Sequence, residues 1–160
     1  LSHKQSAAPK ALSVALKFLS SKARSASEVR TRLREKGFGP EEIKKVLERL
    51  AAEKLLDDEA YARSAVESLS AQRLWGPKKI ALALRRRGVD DETISRALGS
   101  LGEDADGASR AFKKWLRVKG VKLPLDGAGR LRAARHLASR GFSGRAISDA
   151  IGAGEDCDFE

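Results

Sequence analysis

The sequence predicts an all-α protein made of three tandem three-helix repeats, each resembling a helix-turn-helix unit, in an elongated and curved body. Three observations lead there. One seam recurs three times as Leu33–Gly37–Phe38–Ile43, Leu84–Gly88–Val89–Ile94 and Leu137–Gly141–Phe142–Ile147, its glycines 51 and 53 residues apart. A period of this size marks stacked units. Only 5 % of the chain is aromatic against 41 % hydrophobic, and no stretch sustains the alternation of a strand. Finally, each seam carries the chemistry of a helix–turn–helix joint. The residue before each glycine is basic (Lys36, Arg87, Arg140), the one after it is apolar, and the next is a good cap (Gly39, Asp90, Ser143). Glycine stops a helix by entering the left-handed region without a Cβ penalty, and the cation complements the carbonyl end of the dipole. The apolar residue and the Ile have the spacing of a hydrophobic staple.

The elements follow in order. Residues 1–9 are small and polar and are expected to be disordered. Repeat 1 (residues 10–56) opens with a helix near 10–22 whose inward face is Leu12, Ala15, Leu16 and Leu19. Ser25-x-x-Glu28 is a capping box for a second helix burying Val29 and Leu33, and Pro40 with Glu41 and Glu42 starts a third burying Ile43, Val46, Leu47 and Leu50. In repeat 2 (57–101), Leu56–Asp57 supplies staple and cap with Tyr61 as partner. Trp75–Gly76–Pro77 then starts the middle helix, with Ile80 as partner, and Asp90 caps the third. Residues 102–107, with two glycines and three acids, are expected to be a hinge. Repeat 3 (108–151) has Phe112, Trp115 and Leu116 at helical spacing, a loop from Gly120 to Gly129, an Arg-rich helix near 129–140 and a short helix capped by Ser143. An acidic tail, 152–160, is expected to fray.

Composition narrows the function. The net charge is +10, from 32 basic and 22 acidic residues, more than solubility needs in a chain this size and suited to a polyanionic partner. One cysteine, Cys157, excludes an internal disulfide framework and suits a reducing compartment. No apolar run reaches the length of a signal segment or membrane span. The chain opens on Leu1 and holds no methionine, so its natural N-terminus is expected to be missing. Catalytic signals are absent: His3 and His136 have no partner at metal spacing, Cys157 has no nearby base, and Gly127–Ala128–Gly129 lacks the strand and lysine of a phosphate loop. The sequence reads as a binder, with no enzyme activity, cofactor or metal expected.

The candidate binding residues are the cations clustered on particular helices: Arg30 and Arg34, then Lys78, Lys79, Arg85, Arg86 and Arg87, then Lys113, Lys114 and Arg117, then Arg132 and Arg135. Stacked repeats could align them into a basic stripe. Reading of the DNA major groove is disfavoured for the third helices of repeats 1 and 2, because their N-termini read Pro40–Glu41–Glu42 and Asp90–Asp91–Glu92 and would repel phosphates, whereas Ser143–Gly144–Arg145 of repeat 3 carries no such acids. The aromatic residues are mostly accounted for by stapling and core packing, with base stacking by Trp75 or Trp115 the lesser alternative.

Arg24–Ser25-x-x-Glu28–Val29-x-x-Arg32–Leu33-x-x-Lys36–Gly37–Phe38, then Asp57–Asp58-x-x-Tyr61–Ala62, Gly76-x-x-Lys79–Ile80…Leu84…Gly88 and Leu137-x-x-Arg140–Gly141–Phe142 resemble the RecX family of regulatory proteins. The resemblance covers about residues 10–151. It implies a crescent of three-helix repeats that binds the filament groove of the RecA recombinase on single-stranded DNA. The implied effect is usually inhibition, lowering ATPase, strand-exchange and co-protease activity in DNA repair, homologous recombination and the SOS response. It also implies direct binding of single- and double-stranded DNA, and a cytoplasmic setting, or stroma or matrix in a eukaryotic host. A monomer is expected, with no membrane partner. The alternative is a basic DNA-binding, architectural helical protein that acts without RecA.

Overall fold

The computed structural model describes residues 7–102 and 104–156, and the described residues form helices without strands. These are α1 (Ala7–Leu19), α2 (Ala26–Glu35), α3 (Pro40–Ala52), α4 (Asp58–Arg73), α5 (Pro77–Arg86), α6 (Asp91–Leu98), α7 (Asp104–Lys119), α8 (Gly127–Ser139) and α9 (Gly144–Asp156). The all-α expectation of tandem three-helix groups holds. The chain divides into two compact units: Leu1–Ala62 with Leu84–Ile94, and Arg63–Ala83 with Ser95–Glu160. His3, Glu103 and Cys157, most of the expected disordered segment and the end of the acidic tail lie outside the described residues.

The first unit is built on Val29, Leu33, Ile43, Val46 and Leu50, closed by Ala11 and Ala15 of α1. The predicted inward face of α1 holds at Ala15, which is fully buried, and at Leu12 and Leu19, which pack on the core, but Leu16 is 40 % exposed and Ala11 is fully buried instead. Small side chains let the α1 backbone approach α2 and α3 closely, which hydrophobicity alone does not reveal. At the start of α2, Ser25 Oγ accepts from Glu28 N and Glu28 Oε2 accepts from Ser25 N, completing the expected capping box. Gly39 precedes α3, and its N–H donates to Glu42 Oε2 at 3.1 Å. Asp57 and Asp90 cap α4 and α6 through Ala60 N and Thr93 N.

The second unit centres on Phe112, Trp115, Leu137, Phe142, Ile147 and Ile151. Two of its helices are longer than the sequence suggests. Helix α7 starts at Asp104 rather than near Ala108, because Asp104 Oδ2 accepts from Ser143 N at 3.0 Å and an added Cβ on Gly107 would lie 3.1 Å from the Phe142 ring. Helix α9 continues to Asp156 through Gly152 and Gly154, where an added Cβ on Gly154 would sit 2.7 Å from the Phe112 ring. Packing of α9 on α7 thus overrides the poor helix propensity of glycine. Helix α8 starts at Gly127, capped by Asp126, whose Oδ1 accepts from Gly129 N at 2.6 Å.

The repeated Arg–Gly seam is used as a docking surface in each unit. In the first, Ser25 Oγ donates to Arg87 O, and an added Cβ on Gly88 (φ +73°) would meet Ser27 Oγ at 2.2 Å. In the second, Gly76 N donates to Arg140 O at 2.7 Å and Lys78 N to Gly141 O at 3.2 Å. An added Cβ on Gly141 (φ +90°) would fall 2.4 Å from Lys79 N. The carbonyl end of one middle helix therefore receives the N-terminal turn of another, an alignment that favours both dipoles. Gly37 (φ +83°) has no atom within 4 Å of a built Cβ and serves only to end α2.

Candidate functional site

Among the described residues there is no group of three potential metal ligands, and no helix is long and apolar enough to cross a membrane. Each unit presents its own set of cations.

In the first unit, Arg30 and Arg34 lie one turn apart on α2 and are exposed. They flank a cavity of about 530 Å³ whose lining continues with Phe38, Pro40, Ile43, Lys44, Leu47 and Glu48. Arg30 also faces the Asp58 carboxyl, which burial holds above its ordinary value. Arg85 Nε pairs with Asp91 Oδ1 at 2.5 Å on the exposed surface, a contact worth little in water. Arg86 and Arg87 line a second recess with Phe18, Thr31, Arg32 and Glu35. Arg87 is internally engaged: its guanidinium donates to Tyr61 Oη at 2.8 Å, and Tyr61 Oη lies 3.4 Å from Glu28 Oε2. Burial pushes the Tyr61 phenol above its ordinary value, keeping it neutral. Arg24, outside the candidate set, stacks 4.1 Å over the Phe18 ring and pairs with Glu28.

In the second unit, Lys78, Lys113, Lys114, Arg117, Arg132 and Arg135 are exposed. Lys79 is half-buried instead: its Nζ donates to Ser139 O at 3.1 Å and lies 4.8 Å over the Trp75 ring. Lys113 borders a cavity of about 540 Å³ with Trp75, Pro77, Asp106, Arg110 and Phe142. Lys114 borders a smaller one with Trp115, Lys119, His136 and Arg140. The structure thus gathers Arg30 with Arg34, and Arg86 with Arg87, about shared recesses, while Lys79 and Arg87 hold the fold. Lys44, Arg110 and Lys119 join these recesses without being among the candidates. Lys44 adjoins Lys45 and Lys119 lies two residues past Arg117, and only the folded neighbourhood singles them out from these cations.

Arg140 is also a structural cation, with one arm on Arg73 O and Nε donating to His136 Nε2 at 3.0 Å. Burial pushes the His136 imidazole below its ordinary value, and Arg140, Lys119 and Lys79 push it the same way. The folded ring thus takes a proton less readily than the unfolded one. Its contribution to stability is complete above the unfolded value of about 6.5 and is lost as pH falls below it. Thermal unfolding at about pH 7.5 and about pH 5.5 is expected to show a drop in Tm that His136→Gln reduces. An equal drop in both proteins would contradict this placement.

At the starts of α3 and α6, Glu41, Asp91 and Glu92 are exposed. The Asp90 carboxylate is held below its usual range by its hydrogen bond from the Thr93 N–H. Anionic helix starts of this kind do not approach phosphates.

The fold and these surfaces define a class: a basic helical-repeat protein whose exposed chemistry is cationic. The profile of the RecX first three-helix domain matches residues 11–50, and that of the second matches residues 57–98. The regulatory protein RecX of Prosthecochloris aestuarii is 34 % identical over 142 residues, covering 89 % of this chain and 91 % of that protein. That of Mycobacterium sp. (strain KMS) is 33 % identical, covering 85 % and 76 %. The crystal structure of RecX from Lactobacillus salivarius superposes with a TM-score of 0.82 at 26 % identity, over 94 % of this chain and 97 % of that one. The chain belongs to the RecX family.

Proposed function

We propose that this chain regulates a RecA recombinase by binding RecA filaments on single-stranded DNA and lowering their ATPase, strand-exchange and co-protease activity, acting as a monomer in the cytoplasm. The observation that carries the proposal is a set of unspent cations on a member of this family. Arg34, Lys78, Arg86, Lys113, Lys114, Arg117, Arg132 and Arg135 are exposed, and their side chains make no hydrogen bond or ion pair with the described residues. Exposed, unpaired cations are the groups that release counterions when they meet phosphates, and they also steer association with an anionic assembly. The internally held Arg87 and Lys79 take a supporting part, keeping the middle helices in place.

Co-sedimentation tests this reading. Protein mixed with RecA–single-stranded DNA filaments should pellet at concentrations where DNA alone retains little of it. Equal retention by DNA with and without RecA would instead favour a DNA-binding protein acting without the recombinase.

A further inference from the structure

The recess on the first unit has a composition that the fold itself does not require. Its floor is apolar, made by Phe38, Pro40, Ile43 and Leu47 between α2 and α3, and its rim carries Arg30, Arg34 and Lys44 against one carboxylate, Glu48. Phe38 and Leu47 are only partly buried, so this apolar surface is open to a ligand. Counting from the seam glycine, the positions of Arg30 and Lys44 are filled by Ala81 and Ser95 in the second copy and by Ala134 and Ser148 in the third. The position of Phe38 is filled by Val89 and Phe142, both buried. The position of Arg34 is Arg85 in the second copy, paired with Asp91, and Ala138 in the third, so the same three-helix plan is met with one rim cation or none and without an open aromatic floor.

We infer that this groove is a docking site for an acidic amphipathic segment of a protein partner, one carrying large apolar side chains between carboxylates. Apolar anchors would fill the Phe38–Ile43–Leu47 floor, as in a helix-in-groove complex, while carboxylates meet Arg30, Arg34 and Lys44. Charge complementarity chooses this occupant over others. Nucleic acid fits less well, because the floor offers a single ring, Phe38, among aliphatic side chains, too little to stack successive bases, and Glu48 stands where phosphates would run. A second copy of a chain with net charge +10 would be repelled. The inference does not rest on the recombinase reading, since the peptide interaction can be measured without any filament.

The experiment is fluorescence anisotropy on the full chain with three labelled probes. One is a synthetic peptide with glutamates on one helical face and leucines at i, i+3, i+4 and i+7. The second has the same composition in scrambled order, and the third is an oligo-dT strand. The patterned peptide should bind at least about tenfold more tightly than the scrambled one. Leu47→Asp and, separately, the surface change Lys44→Glu should each weaken patterned-peptide binding by about tenfold or more while moving oligo-dT affinity less than about threefold. Lys44→Glu keeps the test decisive should Leu47→Asp fail to fold. Equal binding of the two peptides, indifference of the patterned peptide to Lys44→Glu, or a parallel fall in oligo-dT binding would each overturn the assignment.

Discussion

Gly141→Ala is expected to destabilise the second unit by about 3–5 kcal/mol, the largest effect anticipated for a single methyl group in this chain. Two costs combine. An alanine held at φ +90° carries the left-handed penalty of about 1–2 kcal/mol. Its Cβ would also stand 2.4 Å from Lys79 N and 2.6 Å from Lys79 Cβ, backbone-anchored atoms that cannot rotate away. The N-terminal turn of α5 must then withdraw, endangering the bonds from Gly76 N to Arg140 O and from Lys78 N to Gly141 O. Each donor left unsatisfied costs about 1–3 kcal/mol. Gly37→Ala is the control: the same backbone conformation with open space around it should cost only the left-handed penalty of about 1–2 kcal/mol. Gly88→Ala should also exceed the control, because Ser27 Cβ would stand 2.3 Å from the new methyl and a change of Ser27 rotamer would relieve only its Oγ. Urea unfolding of the three variants measures the order. Equal losses at Gly37 and Gly141 would mean that the seam ends helices and does not join them.

The second large effect concerns binding. Reversing Lys113, Lys114 and Arg117 to glutamate should weaken single-stranded DNA binding by at least about tenfold and flatten the salt dependence by about 0.7 log unit for each phosphate no longer neutralised. All three are exposed and internally unpaired, so thermal unfolding should move little. Arg87→Glu is expected to behave differently. Its guanidinium holds Tyr61 Oη, in a network that includes Ser25 and Glu28, so stability should fall together with any change in binding. An unchanged salt slope in the triple variant would make these cations a solvated face and no more.

Much of the fold can be read in the chain because its helix boundaries are local chemistry. Ser25 with Glu28, Asp57, Asp90 and the seam glycines act within a few residues of themselves, and each ends or starts a helix where spacing requires it. Long-range effects are less visible. The burial of Ala11 in place of Leu16, the early start of α7 at Asp104 and the extension of α9 past Gly154 depend on partners distant in sequence: α2 and α3, Ser143 and Phe142, and Phe112. The binding surface is legible only as an inventory. A run such as Arg85–Arg86–Arg87 looks uniform, yet the three cations are respectively paired with Asp91, free, and bound to Tyr61. Lys79, indistinguishable by type from Lys78, is spent on Ser139 O and the Trp75 ring.

A chain that acts as proposed lowers the activity of a recombinase filament. Titrating it into RecA assembled on single-stranded DNA, with ATP hydrolysis followed continuously, measures that effect at its source. Hydrolysis should fall at sub-stoichiometric ratios of the chain to RecA, and the triple charge reversal on α7 should shift the titration to higher concentration. An unchanged rate at an equimolar ratio would contradict the account.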